Sequence, residues 1–297
     1  MRYFNQIIIA IGLLFSSSWG YAIEYYADAL YWQASETVDW SLTNNLNLLN
    51  QRISYNTIAF HFAPGFRIGA GLQNEDWNAQ LFYTYFHVKE IDSAQGNVIS
   101  AFIPSKFAEG IYQRGQVNFT IDLNMVDFDL YKQIKVGEHL ILHPIIGLKG
   151  GTINQQVNSR FQGSLIVFES VTNDFSGFGP KVGIDGRWIF YKTNGVQYSL
   201  AAEISSAFMW GKWSIHDNMT QSNSFLSSSV QVGKRNMGAL ELQGLIGINL
   251  HYKNANVKIG YEVADWFNQY QVFDDGTGTH TNDLVLQGLT VAFTLHC

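Results

Sequence analysis

The sequence predicts an all-β fold: an antiparallel, up-and-down transmembrane β-barrel of about ten strands, with short periplasmic turns and long extracellular loops. Three observations predict it. Oily residues recur at every second position in segment after segment, and a period of two belongs to a strand. The connections between these segments alternate long and short. Hydrophobic residues make up 46% and aromatics 15%, with only 14% charged, where soluble domains usually carry about 25%.

The N-terminus, "MRYFNQIIIAIGLLFSSSWGYA", has a basic start at Arg2, an apolar run from Ile7 to Phe15, and small residues at Gly20 and Ala22. That layout predicts a signal peptide over residues 1–22, with an apolar run too short to span a bilayer. Residues 23–297 then form a single outer-membrane domain. Beyond the signal, no apolar run approaches the ~20 residues a transmembrane helix needs. A formal net charge of -6 argues against a nucleic-acid partner. The single cysteine, Cys297, excludes an intrachain disulfide framework. Cohesion must come from elsewhere, and a closed hydrogen-bonded barrel supplies it.

In chain order, strands are expected near 24–36, 57–73, 76–91, 116–134, 138–154, 177–192, 196–213, 237–252, 255–272 and 282–296. "TVDWSLTNNLNLLNQRIS" is a long connection and "QNED" a short one, and this alternation continues to "DDGTGTHTND". Splitting one loop into a further hairpin, most readily at "GSLIVFESV", gives twelve strands instead.

Charge assigns the faces, because an ionised group at membrane depth must face water or a partner. Phe60, Phe62, Phe66, Ile68 and Leu72 oppose Arg67, and Leu140, Leu142, Ile146 and Leu148 oppose His143 and Lys149. Val182, Ile184, Trp188 and Phe190 oppose Lys181, Asp185 and Arg187. Leu200, Ile204 and Phe208 oppose Glu203; Leu240, Leu242 and Ile246 oppose Glu241; Val257, Ile259 and Tyr261 oppose Lys258 and Glu262. In "FTIDLNMVDFDLYKQ", Ile121, Leu123 and Met125 share parity with Asp127 and Asp129. Either a bulge shifts the register, or Asp122 and Asn124 lie above the hydrocarbon. We adopt the second, with Asp127 and Asp129 in the lumen. A soluble lipocalin-like barrel would reverse the faces; the aromatic load and loop alternation favour lipid outside.

Aromatics near strand ends read as interfacial girdles. Trp188, Tyr191, Tyr198 and Tyr252 are assigned to the periplasmic rim, and Trp210, Trp213, Trp266 and Tyr270 to the outer rim. The last strand, "LVLQGLTVAFTLHC", closes the barrel on the first, with Leu289, Val291, Phe293 and Leu295 toward lipid and Gly288, Thr290, Ala292 and Thr294 inward.

Six segments, "ADALYWQASE", "FAPGFRIGAGL", "WNAQLFYTYFH", "LHPIIGLKGGTINQ", "GFGPKVGIDGRW" and "LQGLTVAF", resemble the Legionella-type pore-forming outer-membrane proteins. That family is in turn distantly similar to the chlamydial major outer-membrane porin. The resemblance implies an outer-membrane porin or major surface protein, without a catalytic signature. It also implies a C-terminal strand read by the barrel-assembly machinery, commonly ending in an aromatic where this chain has His296 and Cys297. Members tend to carry Arg where this chain has His143 and Lys149.

Function is therefore expected to be porin-like: small polar solutes or ions pass through a narrow lumen lined by the charges above. Ten strands lie close to the filled end of the barrel range, so structural pairing of those charges is favoured over a selectivity filter. The alternative is a non-conducting surface protein acting through loops such as "NLNLLN", "NVISAFIP" and "SLIVF". More remote is a barrel hydrolase using His216 with Asp217, or His280 with Asp274, Asp275 and Asp283. No Gly-x-Ser-x-Gly or His-Glu-x-x-His motif supports it. No metal or cofactor is expected: "DDGTGTHTND" reads as a solvated turn rather than a Ca²⁺ loop, and His139 and His143 lack a third ligand. A homo-oligomer is left open.

Overall fold

The computed structural model describes residues 22–297 apart from 37, 48–49, 75–76, 102–109, 223–226 and 275–277. Side chains at 45–47, 50–52, 228, 230–237, 272–274 and 278–281 are likewise outside the description. The expected signal peptide, save Ala22, falls outside it too. The strands are β1 (Ala22–Ser35), β2 (Asp39–Asn47), β3 (Asn50–Thr57), β4 (Phe62–Gln73), β5 (Asn78–Ser100), β6 (Tyr112–Tyr131) and β7 (Ile134–Val136). They continue as β8 (Leu140–Gln162), β9 (Ile166–Thr193), β10 (Val196–Gln221), β11 (Ser227–Tyr252), β12 (Ala255–Asp274) and β13 (Gly278–His296).

Ten of these close into an antiparallel barrel, in the order β1-β4-β5-β6-β8-β9-β10-β11-β12-β13 and back to β1. Closure runs from Glu24↔His296 to Ser35↔Val285, so each of the ten strands is paired on both sides over its periplasmic half, while the ladder between β11 and β12 stops at Glu241↔Trp266. The twelve-strand alternative misplaces its hairpin. At "GSLIVFESV", β8 and β9 stay paired up to Gln162↔Ile166. The additional hairpin is β2–β3, inside the first expected loop, and β2 adds to the end of β5 through Ser41↔Ser100 to Thr43↔Val98.

Along the barrel axis the wall changes its chemistry. In the membrane storey, Phe66, Ile68, Ile146, Leu148, Val182, Ile184, Ile204, Ile246, Ile259 and Leu289 are exposed on the outside. Their neighbours in sequence point inward and are polar: Asp127, Asp129, Lys149, Lys181, Glu241 and Glu262 are buried. In the outer storey the faces trade places. Val117, Phe119, Ile121 and Leu123 of β6 face inward and are buried, as are Ile153, Val157 and Phe161 of β8 and Val167, Val171 and Phe175 of β9. Outside them sit Asp122 and Asn124 of β6 and Ser170, Thr172, Asp174 and Ser176 of β9. The pairing of β6 with β5 is unbroken from Asn78↔Tyr131 to Gln95↔Arg114. Met125 and Asp127 therefore share a face without a bulge; the change from lipid to water outside the wall accounts for the pattern.

This inversion explains why the strands outrun expectation at their outer ends: β9 starts at Ile166 rather than 177, and β10 ends at Gln221 rather than 213. It also corrects four aromatic assignments. Trp213, Trp266 and Tyr270 belong to the interior, each about 1% exposed, and not to an outer girdle. Phe60 is likewise buried, against Phe119 at 5.2 Å between ring centroids. Surrounded by water, the outer storey gains from burying these groups inside, about 1.5–3 kcal/mol for each large side chain. Trp210 lies outside at 62% exposure, and Trp188, Tyr191 and Tyr252 are exposed near the periplasmic end; Tyr198 is half-buried against Tyr191.

Phe175 illustrates how tightly the outer storey is filled. Its ring packs at a tilt against Trp213, 4.3 Å between centroids, and lies over Gly177 and Gly211. A Cβ on Gly211 would stand 2.0 Å from that ring and 2.7 Å from the Ser176 carbonyl oxygen. Gly211→Val is expected to cost about 1–3 kcal/mol through overpacking, measured as a lowered denaturant midpoint in micelles.

Candidate functional site

The site is the lumen of the membrane storey. Strand alternation delivers its side chains, and the register of the ladder sets their height. Arg67 of β4 bonds Glu262 of β12 at 2.7 Å and Asp28 of β1 at 3.3 Å. Gln243 and Thr290 also donate to the Glu262 carboxylate, at 2.5 and 2.6 Å. Lys149 of β8 reaches across to Glu241 of β11 at 2.7 Å and to Asp127 of β6 at 3.5 Å. Lys181 of β9 bridges Asp127 and Asp129 at 3.0 and 2.8 Å. Lower down, His143 and Arg187 both contact Asp185, at 2.8 and 3.3 Å, and Lys258 meets Glu203 at 3.5 Å. All twelve charged or titratable residues expected in the lumen thus point inward, and ion pairs join them.

Two members escaped the sequence reading. Asp28 partners Arg67, and Glu24 meets His296 at 2.6 Å and accepts a hydrogen bond from Tyr26. Both were legible from parity, since Tyr25 and Tyr31 on the opposite face of β1 are exposed.

The charged layer ends in aromatic rings. The Arg67 guanidinium lies 5.8 Å from the Trp32 ring centroid and the Lys149 ammonium 5.4 Å from that of Trp266, within cation–π range. Below them a polar cavity of ≈ 120 Å³, lined by Asp28, Arg67, Asp127, Lys181 and Glu203, leads into a periplasmic vestibule of ≈ 250 Å³. Tyr26, Gln80, His143 and Arg187 line both. Above the charges the lumen narrows to a void of ≈ 10 Å³ beside Trp32, Met125 and Trp266. The apolar core of the outer storey follows. Trp40 enters it from β2, packing on Phe161 at 5.9 Å and donating a hydrogen bond to Asp92 at 3.0 Å.

Of the sequence clusters offered for catalysis, His216 with Asp217 is separated by the strand. His216 faces outward beside Ser214, whereas Asp217, its neighbour on the strand, takes the opposite face. His280, Asp274 and Asp275 lie outside the described side chains, as does most of "DDGTGTHTND". Among the described residues no three His, Cys, Asp or Glu side chains converge as metal ligands.

Three solved structures serve for comparison. The outer membrane protease OmpT from Escherichia coli matches at 10% identity, covering 95% of this chain and 99% of its own, with a TM-score of 0.50, and so shares the fold. Outer membrane protein AlkL, also 10% identical over 95% of both chains, scores 0.31. The Pseudomonas putida toluene transporter TodX, 6% identical over 95% of this chain and 91% of its own, scores 0.30. No curated protein sequence matches the chain. Residues 19–297 match the family described as Legionella pneumophila major outer membrane protein precursor. The chain belongs to that family and is a β-barrel of the bacterial outer membrane.

Proposed function

We propose that this barrel is a narrow porin-like channel for small polar solutes or ions, closed in the conformation described. The observation that supports this reading is the pair of adjoining lumen cavities, which share Tyr26, Gln80, His143 and Arg187 and extend from the periplasmic end to the Arg67–Lys181 layer within the membrane. A solute advancing from there meets paired charges and then the apolar plug around Trp40 and Phe161. Conduction on this reading needs the plug to move. The proposal gives no residue a catalytic role.

A second reading, a non-conducting surface protein, is favoured by one observation: the interior of the outer storey is occupied by buried apolar side chains, among them Trp40, Phe119, Phe161 and Trp213. Single-channel recording in planar bilayers separates the two. The expected result is rare, small openings in the native chain and more frequent ones in Trp40→Ala, which hollows the plug. Silence from both proteins, each verified as folded, would leave the surface reading.

A further inference from the structure

The plug is held by a chain of hydrogen bonds that crosses the barrel. Glu36 follows β1, and both its carboxyl oxygens accept from Gln155 Nε2 of β8, at 3.0 and 2.9 Å. Gln155 Oε1 accepts from Asn173 Nδ2 of β9 at 2.7 Å, and the same nitrogen donates to the Gln269 carbonyl of β12 at 2.9 Å. In the ring of ten strands β1 lies opposite β8 and β9, so this chain spans the lumen. It fastens the segment leading into Trp40 and the β2–β3 hairpin to the far wall. Nearby, Glu169 of β9 is 3% exposed; Ser159 donates to one carboxyl oxygen at 3.1 Å, and the other has no hydrogen-bond partner among the described residues.

We propose that this cross-lumen chain is a proton-controlled latch: Glu36 and Glu169 keep the outer plug shut while they carry protons and release it when they ionise. An ionised carboxylate buried without a cation is costly, whereas a protonated one fits an apolar core. The titratable groups around the latch do not neutralise it. Asp92 of β5 binds Trp40, Tyr112 comes from β6, Asp217 from β10 and Tyr270 from β12. Among the described side chains no Lys, Arg or His joins them. Arg235 of β11 stands opposite Trp213 in the register, with its side chain outside the description. These groups lie above the membrane-spanning segments, beyond the level of Phe178 on β9. Burial, then the neighbouring Asp217, pushes Glu169 up to about 8. Burial likewise holds Glu36 well above the ordinary carboxyl range, with the Gln155 bond opposing it.

The sign follows from linkage. In the opened plug both carboxyls meet water and titrate near their ordinary ~4.3, so the closed form binds protons more tightly. Raising the pH from about 5 to about 8 favours opening, by up to about ten-fold per unit for each carboxyl. Below that window the latch is fully set.

Hydrogen exchange of the full-length protein in micelles tests this, comparing native chain, Glu36→Gln, Glu169→Gln and the double variant at the same pH. Glutamine stays neutral and keeps an oxygen acceptor, so the variants retain the closed form. At pH 8.5 the amides of residues 38–43 and 153–161 should exchange at least ten-fold faster in the native chain than in the double variant, and at pH 5.5 equally fast. An equal ratio at both values overturns the latch. The proposal rests on the channel reading only for its electrical readout. Exchange that follows pH without current would keep the latch and discard the channel; current without pH-dependent exchange would do the reverse.

Discussion

Replacing Lys181 with Met is expected to cost about 3–5 kcal/mol, a large fraction of a barrel's stability, because it strands the Asp129 carboxylate inside the wall and leaves Asp127 with a single cation. The Lys181 ammonium is 3.0 Å from Asp127 and 2.8 Å from Asp129, and all three side chains are at most 7% exposed. Asp127 would keep Lys149, at 3.5 Å, whereas Asp129 has no other cation within bonding reach in the described structure. The penalty belongs mainly to the unpaired charge and not to the lost attraction. Adding Asp129→Asn to Lys181→Met should therefore recover a substantial part of it. Lys258→Met provides the contrast. Its pair with Glu203 is 3.5 Å long, with side chains 23% and 26% exposed, so the loss should stay below about 1 kcal/mol. Urea unfolding of micelle-refolded protein measures all three. Equal losses for Lys181 and Lys258 would mean that the inner layer is hydrated well enough to screen its charges.

The same layer marks how far the sequence could be read. Within the membrane, charge has one tolerable side, so Arg67, Lys149, Lys181 and Glu262 disclosed the lumen face, the strand parity and the closure by "LVLQGLTVAFTLHC". Their pairing was not legible, since Arg67 and Glu262 are 195 residues apart and meet only after the barrel closes. Above the membrane the rule that oily residues face lipid fails, because water lies outside the wall. Trp213 and Trp266 carried the inward parity of their strands, yet their nearness to strand ends suggested a girdle. The β2–β3 hairpin escaped for a related reason. "DWSLTNNLN" alternates weakly, and its strand character depends on pairing with β3 and with the end of β5. Tertiary context decides such a segment.

Placing the same residue on both storeys of one strand tests the inversion directly. On β9, Ile184 faces lipid opposite Ile204 of β10, near the middle of the membrane storey, while Thr172 faces outward well above it. Ile184→Arg is expected to destabilise by about 2–4 kcal/mol, the cost of arginine on the lipid face near the bilayer midplane. Thr172→Arg should stay within about 0.5 kcal/mol, as an ordinary surface change in water. The inward neighbours reverse the order of polarity. Phe175→Arg would bury a charge against Trp213 and should cost more than Thr172→Arg, although only three residues separate them. Denaturant midpoints in bilayers of defined thickness provide the measurement. If Thr172→Arg proved as costly as Ile184→Arg, the hydrocarbon would extend over the outer storey. The buried core of Phe119, Phe161 and Trp213 would then lack the surrounding water that makes its burial favourable.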